Sequence, residues 1–335
     1  MFLLESYPIA VVFCVITMLC WGSWANTQKL AGRTWRFELF YWDYVIGVML
    51  MALVFALTLG STGTKGQAFL ANLKQAELSN VGLALLGGVI FNLANILLVA
   101  AIAIAGMSVA FPVGIGMALV VGVLVNYIRE ATGNPLLLFL GVALVASAIV
   151  LNAVAYRTLP GTSKSTSAKG LVLSILCGLL MGTFYLCVAA SMPESEQFAA
   201  MPAGKLSPYT AVVVFSLGIL LSNFLFNTVI MYKPVEGQPV GYNHYFQGSF
   251  MDHLWGVVGG MIWQVGMTFS IIASGQAGFA ISYGLGQGAT LVAALWGVFI
   301  WREFKAGSQT TQKLLAAMFA CYLIGLAVII VARTV

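Results

Sequence analysis

Long apolar segments alternate with short polar connectors along the whole chain. Each apolar segment is about 20 residues long, which is the length that an α-helix needs to cross the hydrocarbon core of a bilayer. By this criterion the pattern predicts ten membrane-spanning helices, and hence an all-α integral membrane protein in contact with the lipid bilayer. The spans are expected at residues 9–27, 37–59, 81–104, 109–128, 136–155, 170–190, 211–231, 254–274, 277–301 and 314–331.

The segments favour helices over barrel strands. A backbone that faces lipid must satisfy its own hydrogen bonds, and no segment shows the alternation of a barrel strand. The connector 157–169 (RTLPGTSKSTSAK) is rich in Ser and Thr and contains Pro and Gly. It divides the chain into two halves of five predicted spans, 1–160 and 161–335. Because five is odd, the second half must enter the membrane in the opposite sense, which predicts the inverted repeat typical of secondary transporters.

An internal sequence repeat supports this division. Residues 87–130 and 259–303 both open with Gly-Gly, cross one apolar segment, and end the next segment at Arg-Glu. Between the two segments each copy is expected to turn at an Ala-Gly pair, which contains Gly106 in the first copy and Gly278 in the second. The chain is therefore interpreted as two copies of one unit.

Composition excludes a soluble protein. Apolar residues make up 61% of the chain and charged residues 7%, whereas a soluble domain carries about 25% charged residues. A chain with so few charges cannot cover its surface in water. The net charge of +5 comes from single Lys and Arg residues at the ends of apolar segments, so no nucleic-acid partner is expected. The five cysteines lie within apolar segments and indicate buried hydrophobic side chains, so we expect no metal site and no cofactor.

The distribution of Lys and Arg predicts the orientation of the chain in the membrane. Ten of these residues, Arg33 and Lys164 among them, lie on the face that carries the central connector, and five lie on the other. The richer face is expected to be cytoplasmic, which places both termini outside. The first residues, MFLLESYP, lack the features of a cleaved signal, so the first apolar segment is expected to remain as a helix. We expect a monomer in the inner membrane of a bacterium.

The start of the chain resembles known transporters. Residues 20–44 read CWGSWANTQKLAGRTWRFELFYWDY, with Trp-Gly-Ser-Trp at the end of the first span and Asp-Tyr early in the second. With ten spans, the inverted repeat and the Arg-Glu ends of the fourth and ninth spans, this resembles the drug/metabolite transporter superfamily. Within it, the start is similar to the ureide permease and glucose/ribose porter branches. The resemblance implies import of small polar solutes, often together with protons.

Two carboxylates near the start of the second span are candidates for proton coupling. Asp43 lies about 9 Å inside the span, at 1.5 Å per residue. An ionisable group at this depth is costly and commonly functional, and desolvation favours its neutral form. Pairing with Lys29 near the interface is the structural alternative. Glu38 lies closer to the headgroups, where pairing with Arg36 or Arg33 is the alternative to a role in coupling.

Equivalent positions of the repeat supply candidates for substrate binding. Phe91 aligns with Trp263, and Asn92 aligns with Gln264. We expect the two carboxamides to face each other near the pseudo-two-fold axis, where substrate sites of inverted-repeat transporters lie. A carboxamide offers donors and an acceptor to an amide-containing solute or a sugar. Because neighbours on a helix diverge by about 100°, only one residue of each adjacent couple can point at the axis. Interhelical bonding of the amides is the alternative.

The first and ninth spans add three further candidates. Tyr283 and Gln287 are four residues apart, so they share a helical face and are expected to line a cavity together. Their glycine-rich surroundings indicate a bend or close helix packing rather than a phosphate loop. Trp21 is a candidate for stacking on a flat or sugar-like substrate, and an interface anchor is its alternative.

These residues predict a secondary transporter and no enzyme, since the sequence offers no convergent catalytic cluster. We expect proton-coupled import of a small neutral polar solute by alternating access, with a monosaccharide such as ribose or glucose, or a nucleoside, as the principal candidate. The alternatives are a permease for ureides or nucleobases, such as allantoin or uracil, and an exporter of drugs or metabolites. Neutral amides at the centre of the protein favour a neutral substrate.

Overall fold

The computed structural model describes residues 1–31, 35–159, 168–235 and 237–335. Arg33, Lys164 and the predicted boundary between the halves at residue 160 lie outside the described residues. Ten helical segments in the described part are long and apolar enough to cross a membrane, as predicted. The α-helices are α1 Tyr7–Ser23, α2 Asn26–Leu30, α3 Phe37–Leu57, α4 Phe69–Gln75, α5 Leu78–Ala105, α6 Met107–Arg129, α7 Pro135–Arg157, α8 Ala168–Ser191, α9 Pro208–Tyr232, α10 Tyr242–Phe246, α11 Phe250–Ala277, α12 Phe279–Gly286, α13 Ala289–Leu295 and α14 Gln309–Val331.

The two Ala-Gly turns have matching geometry. Helix α5 ends at Ala105 and α11 ends at Ala277, and the glycine that follows each has a positive φ, 78° at Gly106 and 80° at Gly278. Residues with a Cβ rarely adopt this conformation, so glycine allows the chain to reverse at once into the next span. The predicted positions of both turns are confirmed.

The two halves of the chain interlock. Helix α5 of the first half packs against α8 and α9 of the second, and α11 of the second half packs against α1 and α3 of the first. The Gly-Gly pairs allow this contact: a Cβ at Gly88 would lie 2.0 Å from the Phe215 carbonyl oxygen, and one at Gly260 would lie 1.9 Å from that of Tyr44. The repeat therefore brings two equivalent helix pairs into backbone contact.

Gly260→Ala is expected to lower the free energy of unfolding by about 1–3 kcal/mol, because the added methyl group must push α3 and α11 apart. The matched control is Gly82→Ala in α5, where nothing lies within 4 Å of the added Cβ. That variant should be neutral or more stable, since alanine favours a helix over glycine. Thermal unfolding in detergent measures both, and equal stability of the two variants would contradict this packing.

The ninth span is broken, and its counterpart is not. Helix α12 ends at Gly286, α13 begins at Ala289, and the turn between them is formed by Gln287 and Gly288. The equivalent helix α6 continues through Pro112. The bend expected from the glycines is thus present, and it places the side chain of Gln287 at the middle of the protein.

One helix begins earlier than its apolar pattern indicates. Helix α11 starts at Phe250 rather than 254, because the Ser249 hydroxyl and the Asp252 carboxylate form a reciprocal N-terminal cap. His253 precedes the predicted span 254–274 and was therefore expected in a connector. It lies instead in the first turn of a membrane helix.

Candidate functional site: a central cavity with an aromatic floor

A cavity of about 480 Å³ lies between the two halves. This volume is within the range of small-molecule sites. Its mouth lies at the face that carries the ends of α2 and α7 and residues 301–303, which we call the connector face. Its walls come from α1, α2, α3, α5, α6, α7, α8, α11 and the broken span. The residues used below that line it are Trp21, Asn26, Lys29, Phe91, Asn95, Asn152, Tyr156, Phe184, Trp263, Gln287, Trp301 and Glu303.

Aromatic rings form the floor of the cavity. The indoles of Trp21 and Trp263 stack with centroids 5.8 Å apart and planes 15° apart, and Phe91 lies 4.5 Å from Trp263. The Trp21 indole donates a hydrogen bond to the Trp263 carbonyl oxygen at 3.1 Å, which fixes the first ring on the second. Trp21 and Trp263 were both expected at the substrate site, and the structure brings them together. Flat rings held in this way suit a planar solute.

Three carboxamides project from the walls of the cavity. The Gln287 side chain has no hydrogen-bond partner among the described residues, and the Oδ1 atom of Asn152 is buried and equally without a partner in the described chain. Asn95 donates from Nδ2 to the Tyr41 hydroxyl at 3.0 Å, and its Oδ1 atom has no hydrogen-bond partner among the described residues. Buried polar groups are ordinarily satisfied, so unpaired amides in a cavity indicate a polar occupant.

Asn95 and Asn152 were missed by the sequence analysis. Asn95 follows Phe91 by four residues and therefore shares its helical face, which is a signal that the sequence does contain. Asn152 interrupts the apolar segment of α7, and polar residues within spans commonly face the interior. Its orientation toward the cavity depends on how α7 packs, which the segment alone does not determine.

The two repeat-related amides, Asn92 and Gln264, do not line the cavity. Asn92 is fully buried between helices and bonds with Tyr41 and Ser222. Gln264 is also fully buried and bonds with Thr268 and Ser216. Their aromatic neighbours Phe91 and Trp263 meet instead, with ring centroids 4.5 Å apart, because adjacent residues diverge by about 100° on a helix. The expectation that the two carboxamides face each other at a substrate site is therefore corrected.

Tyr283 also lies away from the cavity. Its hydroxyl donates to the carbonyl oxygens of Ala118 and Met181, at 3.2 and 3.1 Å. Its ring fills a notch at Gly122, where a Cβ would lie 2.2 Å from the ring. The expectation that it shares the cavity wall with Gln287 is therefore corrected: Tyr283 packs against α6 and α8.

Asp43 lies outside the cavity, in a buried cluster with His253 and Tyr245. Its carboxylate accepts from the Tyr245 hydroxyl at 2.5 Å and lies 2.9 Å from His253 Nδ1. Gly256 gives it room, since a Cβ there would lie 2.4 Å from that of Asp43. Burial, together with the bond to Asp43, raises the pKa of the Tyr245 phenol, which therefore stays a donor at neutral pH. Asp43 thus has a histidine as its partner, which sequence analysis did not find.

Glu38 pairs with Arg36, with a shortest separation of 2.5 Å. This is the structural alternative expected for it, and the pair joins neighbours at the start of α3 rather than two halves of the protein. Lys29 does not reach Asp43: it pairs with Glu303 at 3.0 Å. The described structure therefore does not pair Asp43 with Lys29, which was the structural alternative for it.

A polar network borders the mouth of the cavity. Glu303 accepts from Lys29 and from the Tyr156 hydroxyl, so it joins α2, α7 and the end of the broken span. Trp301 donates to Asn26 Oδ1 at 2.6 Å, and the Lys29 ammonium lies 4.5 Å from its ring. The mouth is thus bordered by polar and charged side chains that pair with one another.

Side-chain contacts join neighbouring elements at the opposite face. Arg129 donates to the Met192 carbonyl oxygen at 3.2 Å and covers the Phe279 ring at 4.7 Å. Glu130 accepts from the backbone N–H and the hydroxyl of Ser195. Among the described residues, the lining of the cavity extends to the connector face and does not include these contacts.

A ligand-sized cavity among ten candidate membrane spans, lined as far as one face, is typical of a membrane transporter. The ureide permease family model matches residues 40–164 and 157–332. The chain therefore belongs to the ureide permease family, whose members are transporters and not enzymes.

Two relatives cover almost the whole chain. Ureide permease 1 of Arabidopsis thaliana is 23% identical over 98% of both chains, and ureide permease 2 of the same plant is 24% identical over the same shares. A solved crystal structure that is 19% identical covers 98% of each chain with a TM-score of 0.63, which shows a common fold. These curated relatives are plant proteins, so the bacterial membrane and the outward termini stay predictions.

Proposed function

We propose that the protein takes up a planar, uncharged ureide or nucleobase-like solute by alternating access, coupled to protons through Asp43. The observation that carries this proposal is the cavity in which unpaired carboxamides surround an aromatic floor. The relatives named ureide permeases support the same solute class. The earlier preference for a sugar or nucleoside gains no support from them, and neither does a drug exporter.

The chemistry of the cavity suits this solute class. Ureides and nucleobases place N–H donors next to carbonyl acceptors in one plane, and carboxamides complement both kinds of group. The rings of Trp21, Phe91 and Trp263 supply an apolar surface for the faces of such a plane. The charged residues Lys29 and Glu303 lie at the mouth of the cavity and pair with each other. Their position therefore also agrees with a neutral solute.

The proposed coupling site is the Asp43–His253 pair. It joins α3 to α11, and these helices belong to different halves of the chain. Tyr245 attaches the loop helix α10 to the same carboxylate, and Asp252 is the other carboxylate beside the cluster. Protonation of Asp43 would change the hydrogen-bonded contact between the halves at this point, which is how a proton could bias their relative movement.

Uptake into proteoliposomes tests the proposal. With an inward proton gradient, we expect concentrative uptake of radiolabelled allantoin or uracil, and none of ribose or glucose. Dissipating the gradient with an ionophore should abolish concentration of the solute while leaving equilibration. Concentrative uptake of a sugar, without competition by any ureide or nucleobase, would contradict the proposed substrate class.

A further inference from the structure

A chain of hydrogen bonds runs from α9 through α5 and α3 to the cavity wall. It begins at the Ile219 carbonyl oxygen, which accepts from Asn92 Nδ2 at 3.3 Å. The same nitrogen donates to Ser222 Oγ at 2.9 Å, and Ser222 gives its own hydrogen to the Gly218 carbonyl oxygen. A carbonyl oxygen can only accept, so the Asn92 carboxamide has one possible orientation, with its nitrogen toward α9.

This orientation determines the direction of every later bond. Asn92 Oδ1 lies 2.9 Å from the Tyr41 hydroxyl and must accept from it. The hydroxyl of Tyr41 has one hydrogen, which this bond uses. Toward Asn95 the hydroxyl can therefore only accept, and Asn95 presents Nδ2 to it at 3.0 Å.

Asn95, the last residue in this series of hydrogen bonds, presents an acceptor to the cavity. Asn95 is 6% exposed and lines the cavity, and no hydrogen bond to its Oδ1 atom is present in the described part of the chain. One hydrogen of its nitrogen is held by Tyr41, so the carboxamide cannot exchange its oxygen and nitrogen positions without breaking that bond. An isolated asparagine would be able to offer either group.

We infer that Tyr41 and Asn92 are positioning residues that hold Asn95 Oδ1 toward the solute, so that the site selects an N–H donor at this point. The inference rests on the proposed function and deepens it: the cavity distinguishes solutes by a donor at one position. A solute without a donor there leaves a buried oxygen unpaired, which is penalised more than the bond itself is worth.

Binding of N-methylated solutes tests the inference. Purified protein is titrated with hydantoin, 1-methylhydantoin and 3-methylhydantoin. In the wild type we expect at least one methylation to weaken binding about tenfold or more. In Tyr41→Phe the carboxamide of Asn95 is released and can rotate, so this ratio should fall to about threefold or less. The steric effect of the methyl group is the same in each variant, so it cancels when the ratios are compared.

Asn95→Leu provides a second variant that does not depend on the stability of Tyr41→Phe, and its ratio should fall in the same way. The matched control is Tyr185→Phe, because Tyr185 is also fully buried and its hydroxyl bonds with Ser270 Oγ, away from the cavity. This control should keep the wild-type ratio.

The outcomes separate the inference from the proposed function. Hydantoin binding with the same methylation ratio in the wild type, Tyr41→Phe and Asn95→Leu overturns the inference and leaves the function standing. Tight binding of both methylated hydantoins to the wild type also overturns the inference and leaves the proposed function standing. If neither hydantoin, uracil nor allantoin binds or is taken up by the wild type, the proposed function fails and the inference fails with it.

Discussion

Asp43→Asn is expected to abolish concentrative uptake while leaving exchange of solute across the membrane. Asparagine has nearly the size of aspartate and can still accept from Tyr245, but it cannot take up or release a proton. It also replaces the carboxylate contact with His253 by a neutral one, so the two halves can move without proton binding. The effect on concentrative uptake should be at least about tenfold, since the driving force is lost altogether. Uphill uptake and counterflow in proteoliposomes measure the two activities separately.

The control for this variant is Asp252→Asn. Asp252 is a carboxylate in the same region, and it caps α11 together with Ser249. Its loss should lower stability by about 1 kcal/mol and leave uphill uptake in place. Concentrative uptake by Asp43→Asn at the wild-type level would exclude Asp43 as the coupling group.

The double variant Asn152→Leu/Gln287→Leu is expected to weaken solute binding about 100-fold. Each amide presents atoms that have no partner within the described protein, so a bound solute gains a hydrogen bond to each. Removing one such group leaves the solute with an unpaired polar atom, which corresponds to about tenfold in affinity. The residues come from α7 and from the turn between α12 and α13, so their effects should add.

Gln264→Met is the matched control for the double variant. It removes a carboxamide of similar size that is fully buried and bonded to Thr268 and Ser216, away from the cavity. Affinity should stay within about threefold of the wild type, while stability falls by about 1 kcal/mol. If Gln264→Met loses affinity as the double variant does, the repeat-related amides contact the solute in another state of the transport cycle.

The ten membrane spans and their order could be predicted from the sequence. Apolar length determined the ten spans, and the repeated Ala-Gly pairs marked the turns at Gly106 and Gly278, because only glycine readily adopts the φ that these turns require. The repeat also identified, to within one position, the residues of α5 and α11 that meet at the cavity. It assigned Asn92 and Gln264 to this place, whereas the rings of Phe91 and Trp263 meet there.

This error has a physical origin. Consecutive side chains on a helix point in directions about 100° apart, so an error of one residue changes the predicted direction. The orientation of α5 and α11 about their own axes is set by the helices that pack against them. Those contacts occur at Gly88 and Gly260, where the neighbouring backbones touch. An individual span does not contain this information. His253 was missed for a different reason: its helix is extended by a polar cap, which an apolar pattern excludes.

Thermal unfolding of the purified protein in the presence of candidate solutes tests the central claim most directly. A solute that binds the folded protein alone raises its apparent stability. The wild type should be stabilised by allantoin, hydantoin or uracil and not by ribose or glucose, and the shift should disappear in Asn152→Leu/Gln287→Leu. A shift with ribose or glucose alone, or a ureide shift that the double variant retains in full, would show that this cavity is not a ureide site.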